Sequence, residues 1–345
     1  MPPEAGARTV RVLVTGMGNP LGQNIHKALK MAKLPLRIWV MDANPFSAGL
    51  SWEADSVAPR VKAPDYIDEF AAFLKRNAID IVFFGTEAEP AALRDRLDAL
   101  SADIGTVFAL DRKAVLDIAD DKYLTAKALA EAGVDHPRSA VAEDEDAVRA
   151  LMQEVGFPLI AKPRRGSAAR GLFRLSSADS FKPELFQNCV IQECLLPDDQ
   201  EYTVGIYRCR DGRTVATTVI RRELNFGLTY KGVLETRPQI QAYAVKVAEA
   251  LGAAGSVNVQ LRLTARGPVA FEVNPRFSST TPIRAYFGVN EPALAIRELV
   301  LGERLDAVTA RPGAVLRHWS EQYLELDEYE LLSARDLSAW KDVDG

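Results

Sequence analysis

The chain has 345 residues, enough for two or three compact domains with sizeable cores. Its composition, 48% hydrophobic and 26% charged residues, excludes disordered, collagen-like and low-complexity proteins. A net charge of −5 argues against a general nucleic-acid binder, because such proteins usually present a basic surface.

Cysteine and histidine usage limits the metal and redox chemistry open to the chain. Cys189, Cys194 and Cys209 show no C-x-x-C spacing, and an odd number suits a reducing compartment better than a disulfide framework. The 3 histidines are widely separated, so neither a zinc site nor a Ser/His/Asp hydrolase is favoured. No apolar stretch of about 18 residues occurs. We therefore expect a soluble, cytoplasmic protein with no membrane or nucleic-acid partner.

The N-terminal part alternates strands with helices. Val10–Thr15 is an apolar run that ends in the glycine-rich turn Gly16–Gly22, and Leu36–Met41 is a second strand, ending at Asp42. With further strands at Asp80–Gly85 and Thr106–Ala109, this pattern predicts a parallel sheet. The turn is G-x-G-x-x-x-G, not G-x-G-x-x-G. Both a dinucleotide-binding turn and a turn that serves another ligand, or none, remain open.

A basic hairpin follows further along the chain. The strand Pro158–Lys162 ends in a lysine, and the turn Pro163–Gly171 combines small residues with arginines. Small residues let backbone N–H groups approach an anion, and Ser167 adds a hydroxyl donor. The segment predicts a phosphate-binding cover, with a solvated surface hairpin as the alternative.

A strand pair with a polar hinge comes next. Cys189–Cys194 is a strand, and a short connection leads to Glu201, which begins the following strand. Such a hinge can offer main-chain groups to a purine edge, while carboxylates accept from the exocyclic amine and the ribose hydroxyls.

The segment FEVNPRF places polar residues at alternate positions, the period of a strand with one buried face. Gln260 and Glu272 lie six residues on each side of Arg266, so they can face one another across a hairpin, with Asn274 one pleat beyond. A set of oxygen donors suits Mg²⁺ shared with phosphate oxygens rather than zinc.

Four segments in this order, after a Rossmann-like domain, resemble an ATP-grasp ligase: DKYLTAKALAEAGV, PLIAKPRRGSAARG, VIQECL with QEYTVGIY, and NVQL with FEVNPRFSSTTP. From about Arg11 to Leu301 the chain is most similar to the carbamoyl-phosphate-synthetase-like branch of that superfamily. The resemblance implies an α/β and α+β protein with a Rossmann-like pre-ATP-grasp domain and a two-lobed ATP-grasp domain. The implied divisions are 1–112, 113–305 (small lobe about 120–193, hinge 193–197, large lobe about 198–305) and a C-terminal extension, 306–345.

The resemblance also assigns site residues. Those implied to bind ATP are Lys122, Lys162, Arg165, Gly166, Ser167, Ala168, Gly171, Glu193, Cys194, Leu195 and Glu201. Gln260, Glu272 and Asn274 would hold Mg²⁺, expected as two ions, for which Mn²⁺ would substitute. Arg276 would act in catalysis with Lys122 and Lys162.

The implied reaction joins a carboxylic acid to an amine through an acyl phosphate, with ADP and phosphate as products. Arg221, Arg222 and Lys231 lie in the segment Arg221–Glu235, interpreted as a loop, and are candidates for substrate contact. Arg284 could clamp a carboxylate. A homodimer through the N-terminal domain follows only by analogy with the family.

Three other functions fit parts of the sequence. The first is ATP-dependent carboxylation through carboxyphosphate made from bicarbonate. The second is an NAD(P)-dependent oxidoreductase using the N-terminal turn, which leaves the second half of the chain unexplained. The third is a non-catalytic ATP-binding module, which is disfavoured because both lysines and all three metal positions carry competent residues.

Overall fold

The computed structural model describes residues 8–57, 65–166, 171–318 and 320–333. In these ranges the helices are α1 (Pro20–Lys30), α2 (Tyr66–Arg76), α3 (Ala88–Leu93), α4 (Leu97–Ile104), α5 (Lys113–Asp120), α6 (Lys122–Glu131), α7 (Glu145–Val155), α8 (Pro238–Ala250), α9 (Thr281–Tyr286), α10 (Glu291–Leu299) and α11 (Leu326–Ser333). The strands are β1 (Val10–Val14), β2 (Leu36–Met41), β3 (Ser56–Val57), β4 (Ile81–Phe83), β5 (Val107–Phe108), β6 (Ser139–Val141), β7 (Leu159–Pro163), β8 (Phe173–Leu175), β9 (Cys189–Glu193), β10 (Glu201–Arg208), β11 (Thr214–Asn225), β12 (Leu228–Glu235), β13 (Gly255–Thr264), β14 (Gly267–Asn274) and β15 (Gly313–Leu316). None of the helices in these ranges is long and apolar enough to cross a membrane.

The chain forms two compact units. The first comprises the described residues of Met1–Leu110, Phe277–Asp306 and His318–Gly345, and the second comprises those of Asp111–Arg276 and Ala307–Arg317. Each unit therefore includes a segment that lies far along the chain from its main part.

A five-stranded parallel sheet forms the centre of the first unit, in the order β3-β2-β1-β4-β5. The strands are short apolar runs buried on both faces, as expected where helices cover both sides. Phe70 and Phe73 on the amphipathic helix α2 are fully buried against this sheet. The parallel sheet predicted from the alternating pattern is confirmed.

The helix α10 belongs to the first unit although it follows β6 to β14 of the second unit in sequence. The Asn290 side chain caps this helix by accepting a hydrogen bond from the Ala293 amide at 3.1 Å. The same side chain donates to the carbonyl of Ala28 in α1 at 2.7 Å. One residue thus starts the helix and attaches it to the Rossmann-like part.

The second unit contains two antiparallel sheets. The smaller has the order β6-β9-β7-β8 and buries Val148 and Leu151 of α7. The larger has the order β14-β13-β10-β11-β12-β15, and Val247 of α8 packs against Tyr202 and Val204 on one of its faces. Alternate residues of these strands carry the polar side chains described below.

The segment Arg221–Glu235, interpreted from the sequence as a loop, is instead a hairpin of β11 and β12. Asn225 pairs with Leu228, so Phe226 and Gly227 alone make the turn. Both have positive φ, 50° and 74°, the conformation of a type I′ turn, whose twist suits neighbouring strands. Phe-Gly lacks the usual Asn or Asp signal, which explains the wrong prediction.

Candidate active site

The second unit contains a cavity of about 410 Å³ lined by both of its sheets. Most residues that the resemblance assigned to ATP and metal lie on its wall: Lys122, Lys162, Arg165, Gly166, Glu193, Cys194, Leu195, Glu201, Gln260 and Glu272. The fold therefore brings together side chains from Lys122 to Glu272, which lie far apart in the sequence.

Lys122 is positioned by the start of α6. Asp121 is the N-cap of this helix and accepts a hydrogen bond from the Tyr123 amide at 3.0 Å. Its carboxylate also accepts from Arg164, which follows the end of β7, at 2.6 Å. Burial opposes the charge of Asp121, but these hydrogen bonds outweigh it and lower the pKa of the carboxyl. The Nζ of Lys122 donates to the carbonyl of Gly166 at 2.7 Å, so the lysine lies beside the basic turn.

Lys162 provides the second amino group on the cavity wall. Its Nζ donates to the carbonyl of Phe271 on β14 at 3.3 Å, which brings the two sheets together at this point. Burial lowers the pKa of Lys162 to about 8; Glu272 opposes this shift, whereas Lys122 and Arg262 add to it. The protein thus holds a lysine with too little negative charge around it, a setting that an anionic ligand would relieve.

Gln260 and Glu272 pair directly across β13 and β14, in the register that the sequence predicted. The Gln260 amide nitrogen donates to Glu272 Oε1 at 3.0 Å, and that of Asn274 donates to the same oxygen at 2.9 Å. Arg276 donates to the Asn274 side-chain oxygen at 3.2 Å. These residues form one polar platform at the edge of the large sheet.

The platform's donor set fits a magnesium ion held mainly by a ligand's phosphates. Glu272 supplies a carboxylate with one oxygen, Oε2, that accepts no hydrogen bond from the described residues. Within the same residues no group of three or more His, Cys, Asp or Glu side chains could hold a metal. Mg²⁺ is commonly bound by one or two carboxylates and completes its octahedron with phosphate and water. Glu272 would hold such an ion, with Asn274 beside it.

The hinge is fixed by an arginine from the β13–β14 turn. Arg266 donates to both oxygens of Glu193, at 2.5 and 2.8 Å, and to Asp135 at 2.8 Å. Burial opposes the charge of Glu193, but its hydrogen bonds with Arg266 outweigh that and lower the pKa. The carbonyl of Leu195 accepts from Arg262 at 2.7 Å. The carboxylate expected to meet an adenine amine therefore also anchors the hinge.

Glu201, expected to hold ribose hydroxyls, is engaged by two arginines. Arg222 donates to Glu201 Oε1 at 2.9 Å, and Arg262 approaches Oε2 at 3.4 Å. Arg222 also donates to the side-chain oxygen of Gln260 at 2.7 Å. Of the three arginine and lysine candidates for substrate contact in β11 and β12, Arg222 is the one placed against the metal platform.

The other two candidates lie in a neighbouring recess of about 530 Å³. Arg221 donates to Glu235 at 2.9 Å, and Lys231 donates to Glu223 at 2.6 Å. Because side chains alternate along a strand, Arg221 and Arg222 project from opposite faces of β11. Arg221 is therefore directed away from the platform.

Arg284 does not fit the substrate role expected from the sequence. Its side chain is 0% exposed and pairs with Glu291, also 0% exposed, at 2.6 Å. The hydroxyls of Thr280 and Ser278 accept further hydrogen bonds from the guanidinium. Such a buried pair holds α9 and α10 together within the first unit, so Arg284 is a structural residue.

The basic turn is described only at its ends. Arg165 is exposed, with its guanidinium 3.8 Å from Asp120, and Gly166 and Gly171 have positive φ. Ser167 and Ala168 lie outside the described residues.

The glycine-rich turn of the first unit is occupied by the protein's own groups. Asp42 accepts a hydrogen bond from the Gly18 amide at 2.6 Å and another from Asn44 at 2.9 Å. A Cβ at Gly16 would lie 2.7 Å from the carbonyl carbon of Gly85, so close packing against the segment that follows β4 requires glycine there. A pyrophosphate would compete with Asp42 for the Gly18 amide and meet its negative charge, which disfavours the dinucleotide interpretation.

Sequence reasoning missed how arginines fix the site: Arg164, expected only as a charge of the phosphate-binding turn, pairs with Asp121, and Arg262 and Arg266 were not singled out. Arg262 could have been predicted from the sequence, because it lies two residues after Gln260 on one strand and so shares its face. Arg164 and Arg266 lie in turns, and their partners are distant in sequence. Without the fold, nothing distinguishes such arginines from solvated ones.

Comparisons with known proteins agree with this geometry. Residues 186–322 match a family model described as ATP-grasp in the biosynthetic pathway with Ter operon. The carbamoyl phosphate synthase large chain of Helicobacter pylori is 23% identical over 327 residues, which cover 86% of this chain and 30% of that protein.

Two solved structures show the same fold. N5-carboxyaminoimidazole ribonucleotide synthetase from Thermus thermophilus superimposes with a TM-score of 0.70 at 17% identity, covering 96% of this chain and 90% of that one. The biotin carboxylase domain dimer of Hydrogenobacter thermophilus 2-oxoglutarate carboxylase, in complex with MgADP and bicarbonate, superimposes with a TM-score of 0.66 at 13% identity, covering 86% and 70%.

These matches support an ATP-grasp ligase, the superfamily inferred from the motifs, and the solved structures confirm the fold class. The relatives are carbon–nitrogen ligases of that superfamily, including the carbamoyl-phosphate-synthetase-like branch. The chain spans between 19% and 30% of the length of the curated relatives it matches, so their complete reaction does not transfer to it.

Proposed function

We propose that the second unit binds ATP with Mg²⁺ and that the protein is a carboxylate–amine ligase. The observation that carries the proposal is the joint position of Lys122, Lys162 and the Gln260–Glu272 pair on one cavity wall. Amino groups and an oxygen-donor platform that line one cavity form a site for a triphosphate and its metal.

In the proposed reaction a carboxylate oxygen attacks the γ-phosphorus of ATP. The bond from that phosphorus to the β–γ bridging oxygen breaks, so ADP leaves and an acyl phosphate forms. An amine then attacks the acyl carbon, loses a proton and expels phosphate. A magnesium ion, when bound, would neutralise phosphate charge.

The chain's own residues supply position and charge rather than covalent chemistry. Lys122 and Lys162 would bind phosphate oxygens, since each amino group lies on the wall of the cavity. Arg276 would stabilise charge on the transferred phosphoryl group from beside Asn274. The hinge residues Glu193 and Leu195 would bind the adenine edge.

Phosphate release from ATP with Mg²⁺, across pools of carboxylic acids and amines, tests the proposal. We expect release that requires one acid and one amine, and a loss of at least about 100-fold in Glu272→Gln, because this change removes the platform's carboxylate charge. Glu154→Gln is the matched control: Glu154 pairs with Arg138 on an exposed surface. ADP binding measured by calorimetry would show separately whether each variant retains the nucleotide site.

Other outcomes would favour the rival functions. Release driven by bicarbonate alone would indicate carboxylation through carboxyphosphate, a reaction for which the bicarbonate complex of the biotin carboxylase neighbour gives a precedent. Tight nucleotide binding without turnover in any pool would indicate a non-catalytic module. The dimer in that neighbour's structure makes a homodimer a reasonable proposal here, testable by sedimentation.

A further inference from the structure

A guanidinium is built into the metal platform. Arg222 lies opposite Glu201 on neighbouring strands, because Tyr202 pairs with Arg221 in the antiparallel register. Its side chain is 7% exposed, and both its Nε and a terminal nitrogen donate to Glu201 Oε1. That terminal nitrogen also donates to the side-chain oxygen of Gln260 at 2.7 Å. Arg222 lines the same cavity as Lys162.

The Gln260 amide is therefore oriented by a hydrogen-bond donor at its oxygen and an acceptor at its nitrogen. Its oxygen accepts from Arg222, and its nitrogen donates to Glu272 Oε1 at 3.0 Å. Turning the amide to present its oxygen to a cation beside Glu272 would place its NH₂ group against the guanidinium. Two donors would then face each other in a largely buried place, which is unfavourable.

The charge around the cavity leads to the same conclusion. The cationic side chains that line it are Lys122, Lys162, Arg165, Arg174, Arg222 and Arg262, and the carboxylates are Glu193, Asp198, Glu201 and Glu272. Glu201 is already paired with Arg222 and Arg262. A second divalent ion would add two positive charges where cationic side chains already outnumber carboxylates, at low dielectric.

We infer that Arg222 takes the place of one of the two magnesium ions. Its guanidinium holds the Gln260 oxygen and supplies a fixed positive charge to the nucleotide phosphates, so the site takes a single divalent ion through Glu272. This inference rests on the proposed ATP site, and it departs from the two ions that the resemblance implies. In this inference Gln260 positions Arg222 and is not a metal ligand.

Counting bound Mn²⁺ tests the inference without turnover. Free Mn²⁺ is titrated by electron paramagnetic resonance against the protein saturated with β,γ-methylene-ATP. We expect 1 ion per bound nucleotide in the wild type and 2 in Arg222→Met, because the variant frees the Gln260 oxygen and removes a charge. Arg237→Met is the control, since its guanidinium pairs with Glu235 and does not line the cavity; it should bind 1 ion.

A second variant keeps the test decisive if Arg222→Met does not fold. In Gln260→Leu the count should stay at 1 Mn²⁺ per bound nucleotide, although the Mn²⁺ affinity falls, because Glu272 loses the hydrogen bond from the Gln260 amide that orients it. Two ions in the wild type, one ion in a folded Arg222→Met, or a lower count in Gln260→Leu than in the wild type would each overturn the inference. No binding of the analogue at all would overturn the proposed function as well, so the two failures are distinguishable.

Discussion

Lys162 shows how one side chain can oppose the stability of the fold while serving a ligand. Its pKa is lowered to about 8, mainly by burial, whereas an unfolded chain restores the ordinary value of 10.5. The unfolded state therefore binds more protons between these two values, and this group makes stability rise with pH across that window. Below about pH 8, Lys162 is charged in both states, and its burial lowers the free energy of unfolding by the full amount.

Lys162→Met should accordingly be more stable than the wild type at pH 7, by at most about 3 kcal/mol. The advantage should shrink towards pH 10, and ADP binding should be lost, because the amino group that binds phosphate is gone. Urea denaturation at both pH values measures the first effect and calorimetry the second. Equal urea midpoints for the two proteins at pH 7 would contradict this account.

Arg284 and Glu291 give a different prediction, because each neutralises the other in a fully buried place. Arg284→Met leaves a carboxylate buried without its partner and should cost about 3–5 kcal/mol. Replacing both residues, Arg284→Met with Glu291→Leu, should cost less than the single change. Thermal unfolding of the three proteins measures the order, and a double variant less stable than Arg284→Met would refute it.

Among the elements, the β13–β14 hairpin was predictable and the β11–β12 hairpin was not. The first has apolar and polar residues at alternate positions from Val257 to Thr264 and a turn signal near Arg266, so a hairpin pairing could be counted from the turn. A bulge next to Gln260 is what brings Glu272, rather than Phe271, opposite it. The second has an irregular register between Glu223 and Leu224 and turns on Phe226-Gly227. Its polar composition indicated a loop because the strand signal is weak where one face is charged.

Arg266 connects two elements that sequence reasoning treated separately. From the β13–β14 turn it reaches Glu193 at the end of β9 and Asp135 before β6. Arg266→Met should therefore loosen the hinge and lower ADP affinity about tenfold, roughly 1.4 kcal/mol, while leaving the Mn²⁺ count unchanged. Calorimetry with ADP makes the measurement.

Arg149→Met is the control for that experiment, because Arg149 pairs with Glu145 and Asp146 on an exposed helix face. It should bind ADP as the wild type does. An equal loss in both variants, or none in Arg266→Met, would remove the hinge role of Arg266.

At the scale of the whole molecule, motif order identified the superfamily, but the division of the chain could not be inferred. The sequence suggested continuous domains, whereas contacts place Phe277–Asp306 with the first unit and Ala307–Arg317 with the second. Asn290 contacts Ala28, and β15 pairs with β12. Both contacts join segments that are far apart in the sequence. Local periodicity carries no signal for such pairings, which depend on three-dimensional packing.

The last prediction concerns both units, because the Gly16–Gly22 turn of the first and the cavity of the second are both candidate nucleotide sites. Hydrogen exchange with and without MgADP should show slowing in peptides containing Lys122, in 189–195 and in 258–274. Amides there would lie against the ligand or open less often when it is bound. Peptides containing Gly16–Gly22 should not change, because Asp42 already accepts the Gly18 hydrogen bond. Lys162→Met should abolish the slowing in the second unit. Slowing of the Gly16–Gly22 peptides that persists in Lys162→Met would instead show nucleotide bound at the Rossmann-like turn.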